Sequence, residues 1–171
     1  AVVLITHSDN PINVVPLDRA IDLLTGEVRD WAQLGNFEGQ VHLYAGERSA
    51  SSFVAVEGIL EGASVSERVQ TMPSDVGVTR AVSSDPVGLG LAASSSVAGV
   101  KTLAIVGIDG KRRTHLPEDV AVPESMLFRN LYVITRGEPG AALSSLRDYA
   151  LSKSGVAIAE LNSYVVEQTQ Q

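Results

Sequence analysis

The stretch that decides the fold is TGEVRDWAQLG, residues 25–35, because it joins a helix stop to the only tryptophan of the chain. The apolar residues before it recur at roughly helical spacing, so Thr25-Gly26 falls where a left-handed C-cap would end a helix. These apolar residues are Leu17, Ala20, Ile21, Leu23 and Leu24. The pattern predicts a helix over residues 18–24 with a glycine cap, followed by Trp31 packed against the core.

The rest of the chain alternates between strand-like and helix-like segments. Short β-branched or alternating apolar runs predict strands at residues 2–6, 41–44, 89–91, 102–106 and 131–135. Helical spacing and polar caps predict helices at residues 53–60, 66–70, 76–83 and 141–151. Such alternation is typical of an α/β sheet. Residues 89–91 and 102–106 are expected in the same sheet.

Composition excludes several classes of function. The formal net charge of -7 disfavours a nucleic-acid partner, whose phosphate backbone needs a clustered positive surface. No apolar run reaches the roughly 18 to 20 residues needed to span a bilayer. The absence of cysteine excludes disulfides and thiol catalysis. Because His7, His42 and His115 lack metal-ligand spacing, no metal site is predicted.

Four segments, in order, carry a resemblance to a known family. They are TGEVRDWAQLG at 25–35, AVSSDPVGLGL at 81–91, RNLYVITRGEP at 129–139 and LRDYALSKSG at 146–155. The family shows a helix ending in TG before W..LG, a DP..IG turn before a buried strand, an R.LY..T.GEP return strand and a last helix ending in F..F.LS..G. The chain therefore resembles the type 2 periplasmic substrate-binding proteins, and the phosphate-binding members above all.

This resemblance implies an α/β, type 2 periplasmic binding protein-like fold with one complete lobe and the C-terminal part of the other. Residues 11–106 would form the second, central lobe, and residues 1–10 and 107–122 the crossings between lobes. Residues 123–171 would return to the incomplete first lobe. Because that return segment would leave apolar surface exposed, a missing N-terminal segment or a second copy of the chain is expected to cover it.

The resemblance also implies a ligand-binding loop. In phosphate-binding members a serine, glycine and threonine turn opens a helix of the second lobe, usually just after an arginine. The corresponding residues here are Arg48, Ser49, Ser51 and Ser52, with Ala50 at the family serine and Ser51 at the family glycine. First-turn N–H groups lack intrahelical partners, and the helix dipole favours negative charge there. Arg48 is expected to grip a phosphate-like group, and the three serines to donate hydroxyl hydrogen bonds.

A purely structural interpretation of the loop remains open, in which the serines cap a helix and Arg48 pairs with Glu47 or solvent. An enzyme is not predicted, because the sequence has no GxSxG elbow and no acid pair backed by histidine. No catalytic residue is therefore assigned, and no cofactor is implied.

Two functions follow from the resemblance. The first is an extracytoplasmic solute-binding protein or domain that binds a small oxyanion, phosphate above others, and serves a membrane permease of an ABC transporter. The alternative is a sensory or cell-envelope scaffold domain that resembles a binding protein but has lost phosphate binding. Either would be periplasmic or otherwise extracytoplasmic, and no signal-peptide pattern is present in residues 1–6.

Overall fold

The computed structural model describes residues 2–57, 60, 62–107, 112–113, 136–138 and 140–161. The chain divides into two compact units, residues 1–128 and residues 129–171. The strand predicted at residues 131–135, and most of the RNLYVITRGEP segment, lie outside the described residues.

The described part of the first unit contains strands and α-helices in alternation. The strands are β1 (Val2–Thr6), β2 (Val14–Pro16), β3 (His42–Gly46), β4 (Gln70–Met72), β5 (Gly88–Ala93), β6 (Lys101–Thr102), β7 (Ala104–Val106) and β8 (Arg112–Arg113). The helices are α1 (Leu17–Thr25), α2 (Ser51–Glu57) and α3 (Asp75–Ser83), with 3-10 turns at Trp31–Gln33 and Ser94–Ser96.

The main sheet has the strand order β4-β3-β5-β1-β6. Strands β3, β4 and β5 run parallel, whereas β1 runs antiparallel to both of its neighbours. The carboxyl ends of the parallel strands therefore meet at one edge, which we call the carboxyl edge, and their starts meet at the opposite, amino edge. A smaller sheet, β2-β7-β8, pairs β2 and β7 in parallel.

The core lies on both faces of the main sheet. All five residues of β1 are buried, and the four apolar ones, Val2 to Ile5, alternate between two hydrophobic clusters. The larger cluster takes Val2 and Leu4 with side chains of α1 and α2, and the smaller takes Val3 and Ile5 with side chains of α3. Burial on both faces explains why β1 reads as a continuous apolar run.

The predicted end of α1 is confirmed. Gly26 adopts a left-handed conformation with φ of 83°, and its N–H donates to the Asp22 carbonyl oxygen at 3.0 Å. Trp31 is completely buried, and its indole N–H donates to the Val87 carbonyl oxygen at 2.8 Å. This hydrogen bond joins two of the family-like segments through residues that are 56 positions apart in the sequence.

Two predictions of local structure are wrong. Residues 66–70 do not form a helical piece, because a turn closed by the Val69 N–H and the Ser66 oxygen at 3.1 Å leads directly into β4. Residues 102–106 do not form one strand. After β6, Leu103 still donates to the Leu4 oxygen at 2.8 Å, and the chain then leaves for the second sheet as β7. Only the start of this segment shares a sheet with β5.

In the second unit the structure describes α4 (Ala141–Ala150) and α5 (Lys153–Leu161). The predicted helix at residues 141–151 is confirmed, whereas α5 was not predicted. Large apolar side chains of this unit are between 48% and 84% exposed. They are Leu143, Leu146, Tyr149, Leu151, Ile158 and Leu161.

The lobe boundaries stay a prediction. Residues 2–6, expected in the first crossing, form β1 and pair on both sides within the main sheet. Most of residues 107–122 and much of residues 123–171 lie outside the described residues, whereas residues 11–106 are described except for 58, 59 and 61. No described helix has the length and the apolar composition that crossing a membrane requires.

Candidate functional site

The predicted ligand-binding residues lie at the carboxyl edge of the main sheet: Arg48 and Ser49 are in the loop that follows β3, and Ser51 and Ser52 open α2. The Ala50 N–H donates to the Glu47 carbonyl oxygen at 2.7 Å and closes a tight turn. Ser49 is exposed, and Ser51 is the first residue of α2. The first helical hydrogen bond runs from the Val54 N–H to the Ala50 oxygen at 3.1 Å, so the preceding N–H groups of α2 have no intrahelical acceptor.

Arg48 lies against α2, the helix that follows it. Its guanidinium carbon is 5.3 Å from the centre of the Phe53 ring, and one guanidinium nitrogen is 3.4 Å from Glu57 Oε1. The Arg48 side chain is 65% exposed, so the ion pair contributes at most about 1 kcal/mol. The structural alternative named Glu47 or solvent as the partner of Arg48, and the partner in the structure is Glu57.

Ser52 is turned inward. It is only 1% exposed, and its hydroxyl donates to Asp75 Oδ1 at 3.0 Å. The other oxygen of Asp75 accepts the Ala93 N–H at 3.0 Å. One carboxylate therefore joins the start of α2, the start of α3 and the end of β5.

Asp75 was missed in the sequence analysis. The available signal was its position directly after Ser74, whose hydroxyl accepts the Gly77 N–H at 3.2 Å as the N-cap of α3. A polar pair that follows a strand and opens a helix lies at the carboxyl edge of a parallel sheet, where ligands of such folds bind. The contact with Ser52 could not be read from the sequence, because it depends on the strand order.

Gly46 keeps the end of β3 open for this contact. A Cβ added there would lie 3.0 Å from the Ala50 Cβ, 3.6 Å from Asp75 Oδ1 and 3.7 Å from Ser52 Oγ. A side chain at this position would press on the loop and on the hydrogen-bonded pair below it. The glycine therefore lets the loop fold closely over Asp75.

Charge at the loop is unfavourable for an anion in the observed arrangement. Three carboxylates, those of Glu47, Glu57 and Asp75, accompany the single guanidinium of Arg48. An anion bound here would depend on the first-turn N–H groups of α2, and it would compete with Glu57 for Arg48.

A second polar cluster lies at the amino edge and belongs to the family-like DP turn. Asp85 Oδ2 is 2.8 Å from His42 Nδ1 and accepts the Tyr44 hydroxyl at 2.8 Å, while Oδ1 accepts the Val87 N–H at 3.2 Å. Burial raises the pKa of Asp85, but hydrogen bonds from His42, Tyr44 and Val87 outweigh it, so the pKa lies below its ordinary value. Burial, followed by the Asp85 carboxylate, raises the pKa of Tyr44. The cluster fixes the turn that receives Trp31.

Metal binding finds no support in the part of the chain that the structure describes. There, no group of three or more histidine, aspartate or glutamate side chains could hold a metal ion.

Comparison with solved structures identifies the fold. A Clostridium perfringens structure with bound phosphate, assigned as a phosphate ABC transporter substrate-binding protein, matches with a TM-score of 0.74 at 18% identity, over 98% of this chain and 68% of that chain. An ABC-type phosphate transport receptor from Vibrio cholerae matches with a TM-score of 0.74 at 13% identity, over 97% and 69%. PstS from Borrelia burgdorferi matches with a TM-score of 0.72 at 19% identity, over 99% and 70%.

The chain has the fold of these phosphate receptors. The α/β fold class is confirmed, and so is the resemblance in fold to type 2 periplasmic substrate-binding proteins. The matched structures are described as transport receptors and not as enzymes, in agreement with the prediction of a non-enzymatic protein. No protein-family model and no curated protein sequence matches the chain. The ligand-binding roles of Arg48, Ser49, Ser51 and Ser52 stay a prediction.

Proposed function

We propose that this chain belongs to an extracytoplasmic solute-binding protein that binds a small oxyanion, phosphate above others, for uptake by an ABC-type membrane permease. The observation that supports the proposal is the likeness in fold, over 97% to 99% of the chain, to three phosphate-transport proteins, one of which holds phosphate. The periplasmic location and the permease partner are part of the same proposal.

In this proposal the anion binds at the carboxyl edge, over the loop between β3 and α2. Open α/β sheets bind ligands outside the carboxyl ends of their strands. The N–H groups of the first turn of α2 and the hydroxyl groups of Ser49 and Ser51 donate to the anion. Ser52 contributes its N–H group only, because its hydroxyl proton is directed to Asp75.

Arg48 changes partner when the anion binds. Its contact with Glu57 is a single exposed ion pair at 3.4 Å, which is easily given up. A phosphate group offers the guanidinium two oxygens in the planar geometry that arginine prefers. The exchange therefore replaces a weak surface pair with a bidentate contact.

The second unit is covered by an N-terminal segment beyond this chain or by a second copy of the chain. The exposed leucines of α4, Leu143 and Leu146, support this part of the proposal, because they offer an uncovered apolar face. Sedimentation of the chain alone should show self-association, and the protein from the complete gene should sediment as a monomer. A well-behaved monomer of 18.0 kDa would contradict the proposed cover.

Titration calorimetry tests the ligand. Phosphate, sulfate and a neutral sugar are titrated into this chain and into the protein from its complete gene, since the chain spans 68% of the Clostridium structure. Phosphate should release heat, and Arg48→Ala should weaken its binding by about tenfold or more. Arg19→Ala is the matched control, because Arg19 also pairs with a surface carboxylate, Asp22, at 3.2 Å. Heat with the sugar alone would reject the proposal.

The second candidate is a sensory or cell-envelope scaffold domain that no longer binds phosphate. The pairing of Arg48 with Glu57 and the three carboxylates around the loop favour it. It predicts that the complete protein folds but releases no heat with any of the anions.

A further inference from the structure

Three polar residues meet at the amino edge of the first unit, where β1 ends. Thr6 and Lys101 are opposite each other in the antiparallel pair of β1 and β6, so their side chains share one face of the sheet. The Lys101 ammonium donates to the carbonyl oxygen of Asn10, four residues beyond Thr6. We call these residues the Thr6–Asn10–Lys101 cluster.

Two side-chain atoms of the cluster are buried without a partner. Thr6 is 0% exposed and Asn10 is 1% exposed, yet Thr6 Oγ1 and Asn10 Nδ2 have no hydrogen-bond partner among the residues that the structure describes. Both acceptors of Asn10 are already used, Oδ1 by the Ile12 N–H at 2.9 Å and the backbone oxygen by Lys101. Buried polar atoms of this kind are normally satisfied by the protein, by water or by an ion.

The cluster also has an uncompensated positive charge. Within the described part of the chain, no carboxylate lies within ion-pair distance of Lys101. The nearest acidic residue in sequence to Asn10 is Asp9, and its carboxylate is 84% exposed and directed at His7. Burial lowers the pKa of Lys101.

We propose that the Thr6–Asn10–Lys101 cluster binds one small inorganic anion, for which chloride is the probe. An ammonium, an amide N–H and a hydroxyl are all able to donate, and a ligand that receives donors beside a positive charge is an anion. A water molecule could accept from the donors, but it would leave the charge uncompensated. This site lies at the opposite end of β1 from the proposed oxyanion loop, because Thr6 faces the start of β5 and Val2 faces its end.

Thermal unfolding in matched salts tests the proposal. The full chain is unfolded in sodium chloride and in sodium methanesulfonate at equal ionic strength, and Trp31 fluorescence reports the transition. Chloride should raise the midpoint by about 3 to 5 °C for each tenfold increase above its dissociation constant. Equal stability in the two salts would overturn the proposal.

Substitutions locate the effect. Asn10→Asp should abolish the chloride dependence, because it keeps the oxygen that accepts the Ile12 N–H and places a carboxylate beside Lys101. Thr6→Val keeps the branched shape of the side chain but removes the hydroxyl donor, and it should weaken the dependence. Thr25→Val is its control, since the Thr25 hydroxyl already bonds to the Ile21 oxygen at 3.0 Å. Arg48→Ala should retain the chloride effect, which separates this site from the oxyanion site.

A crystal grown in bromide provides the direct observation. An anomalous peak within hydrogen-bond distance of Asn10 Nδ2 and Lys101 Nζ would support the assignment. An oxygen-sized peak without anomalous signal would identify an ordered water and would overturn it.

Discussion

The Trp31 region and the Arg48 loop resemble the same family, yet the structure holds them in opposite ways. Trp31 is buried and its indole N–H bonds to Val87, far along the chain, whereas Arg48 is largely exposed and contacts Phe53 and Glu57 of α2, the helix that follows it. The first contact closes the fold, and the second is the one that the proposed anion would replace. Family resemblance in the Trp31 region is therefore informative about the fold. Family resemblance in the Arg48 loop becomes informative about function only when anion binding is measured.

Removing Trp31 should have the largest effect. Trp31→Ala empties a fully buried site and leaves the Val87 oxygen without its donor, so we expect a loss of about 3 to 5 kcal/mol in the free energy of unfolding. Urea unfolding followed by circular dichroism measures this loss. Trp31→Phe keeps most of the volume and should lose clearly less. If Trp31→Ala unfolds like the parent chain, the comparison between the two regions fails.

Substitution of Asp75 should show that this residue of the carboxyl edge stabilises the fold. Asp75→Ala leaves the Ser52 hydroxyl and the Ala93 N–H without their acceptor, and each such loss amounts to about 1 to 3 kcal/mol when the group is buried. We expect a total of about 2 to 4 kcal/mol in urea unfolding, since Asp75 is only half-buried.

Asp22→Ala is the matched control for Asp75, because Asp22 makes one exposed pair with Arg19 and its loss should change stability by less than about 0.5 kcal/mol. Equal effects of the two substitutions would mean that Asp75 does not join the loops.

Local signals explain which features the sequence predicted. The end of α1 is signalled by two adjacent residues, Thr25 and Gly26, and the strand β1 is signalled by a continuous apolar run. Both features were therefore predictable without knowledge of the fold. The change of sheet after Leu103 and the contact of Ser52 with Asp75 depend on which strands are neighbours. No local pattern contains that information.

The candidate site was predicted only in part for the same reason. The family resemblance indicated the loop and its four residues, and the structure brings them together at the carboxyl edge. The resemblance did not indicate that Ser52 faces Asp75 or that Arg48 pairs with Glu57. Both contacts involve carboxylates, those of Asp75 and Glu57, that lie outside the loop residues 48–52.

The Asp85 cluster should make stability depend on pH at the amino edge. The pKa of Asp85 is lower in the folded chain than in the unfolded chain, so its contribution is present above the unfolded value, about 3.9, and is lost as the pH falls through the folded value. The raised pKa of Tyr44 acts at the other end, where stability is lost as the pH rises above about 10.

Urea unfolding between pH 2.5 and pH 7, on the parent chain and on Asp85→Asn, measures the acidic arm. The asparagine variant should be less stable near neutral pH by about 1 to 2 kcal/mol and should lose less stability on acidification. Parallel pH profiles for the two proteins would show that the carboxylate of Asp85 does not stabilise the turn that receives Trp31.

Substitution of Arg48 should have the smallest effect on the free energy of unfolding. That result would most clearly separate the Arg48 loop from the Trp31 region. Arg48→Ala removes one exposed ion pair with Glu57 and one contact with the Phe53 ring, which together contribute less than about 1.5 kcal/mol. Glu57→Gln isolates the ion pair and should change urea unfolding by less than about 0.5 kcal/mol. Glu57→Gln should also strengthen phosphate binding, because Arg48 then breaks no ion pair when the anion binds. A strongly destabilised Arg48→Ala chain, or phosphate binding weakened by Glu57→Gln, would mean that Arg48 belongs to the fold as Trp31 does.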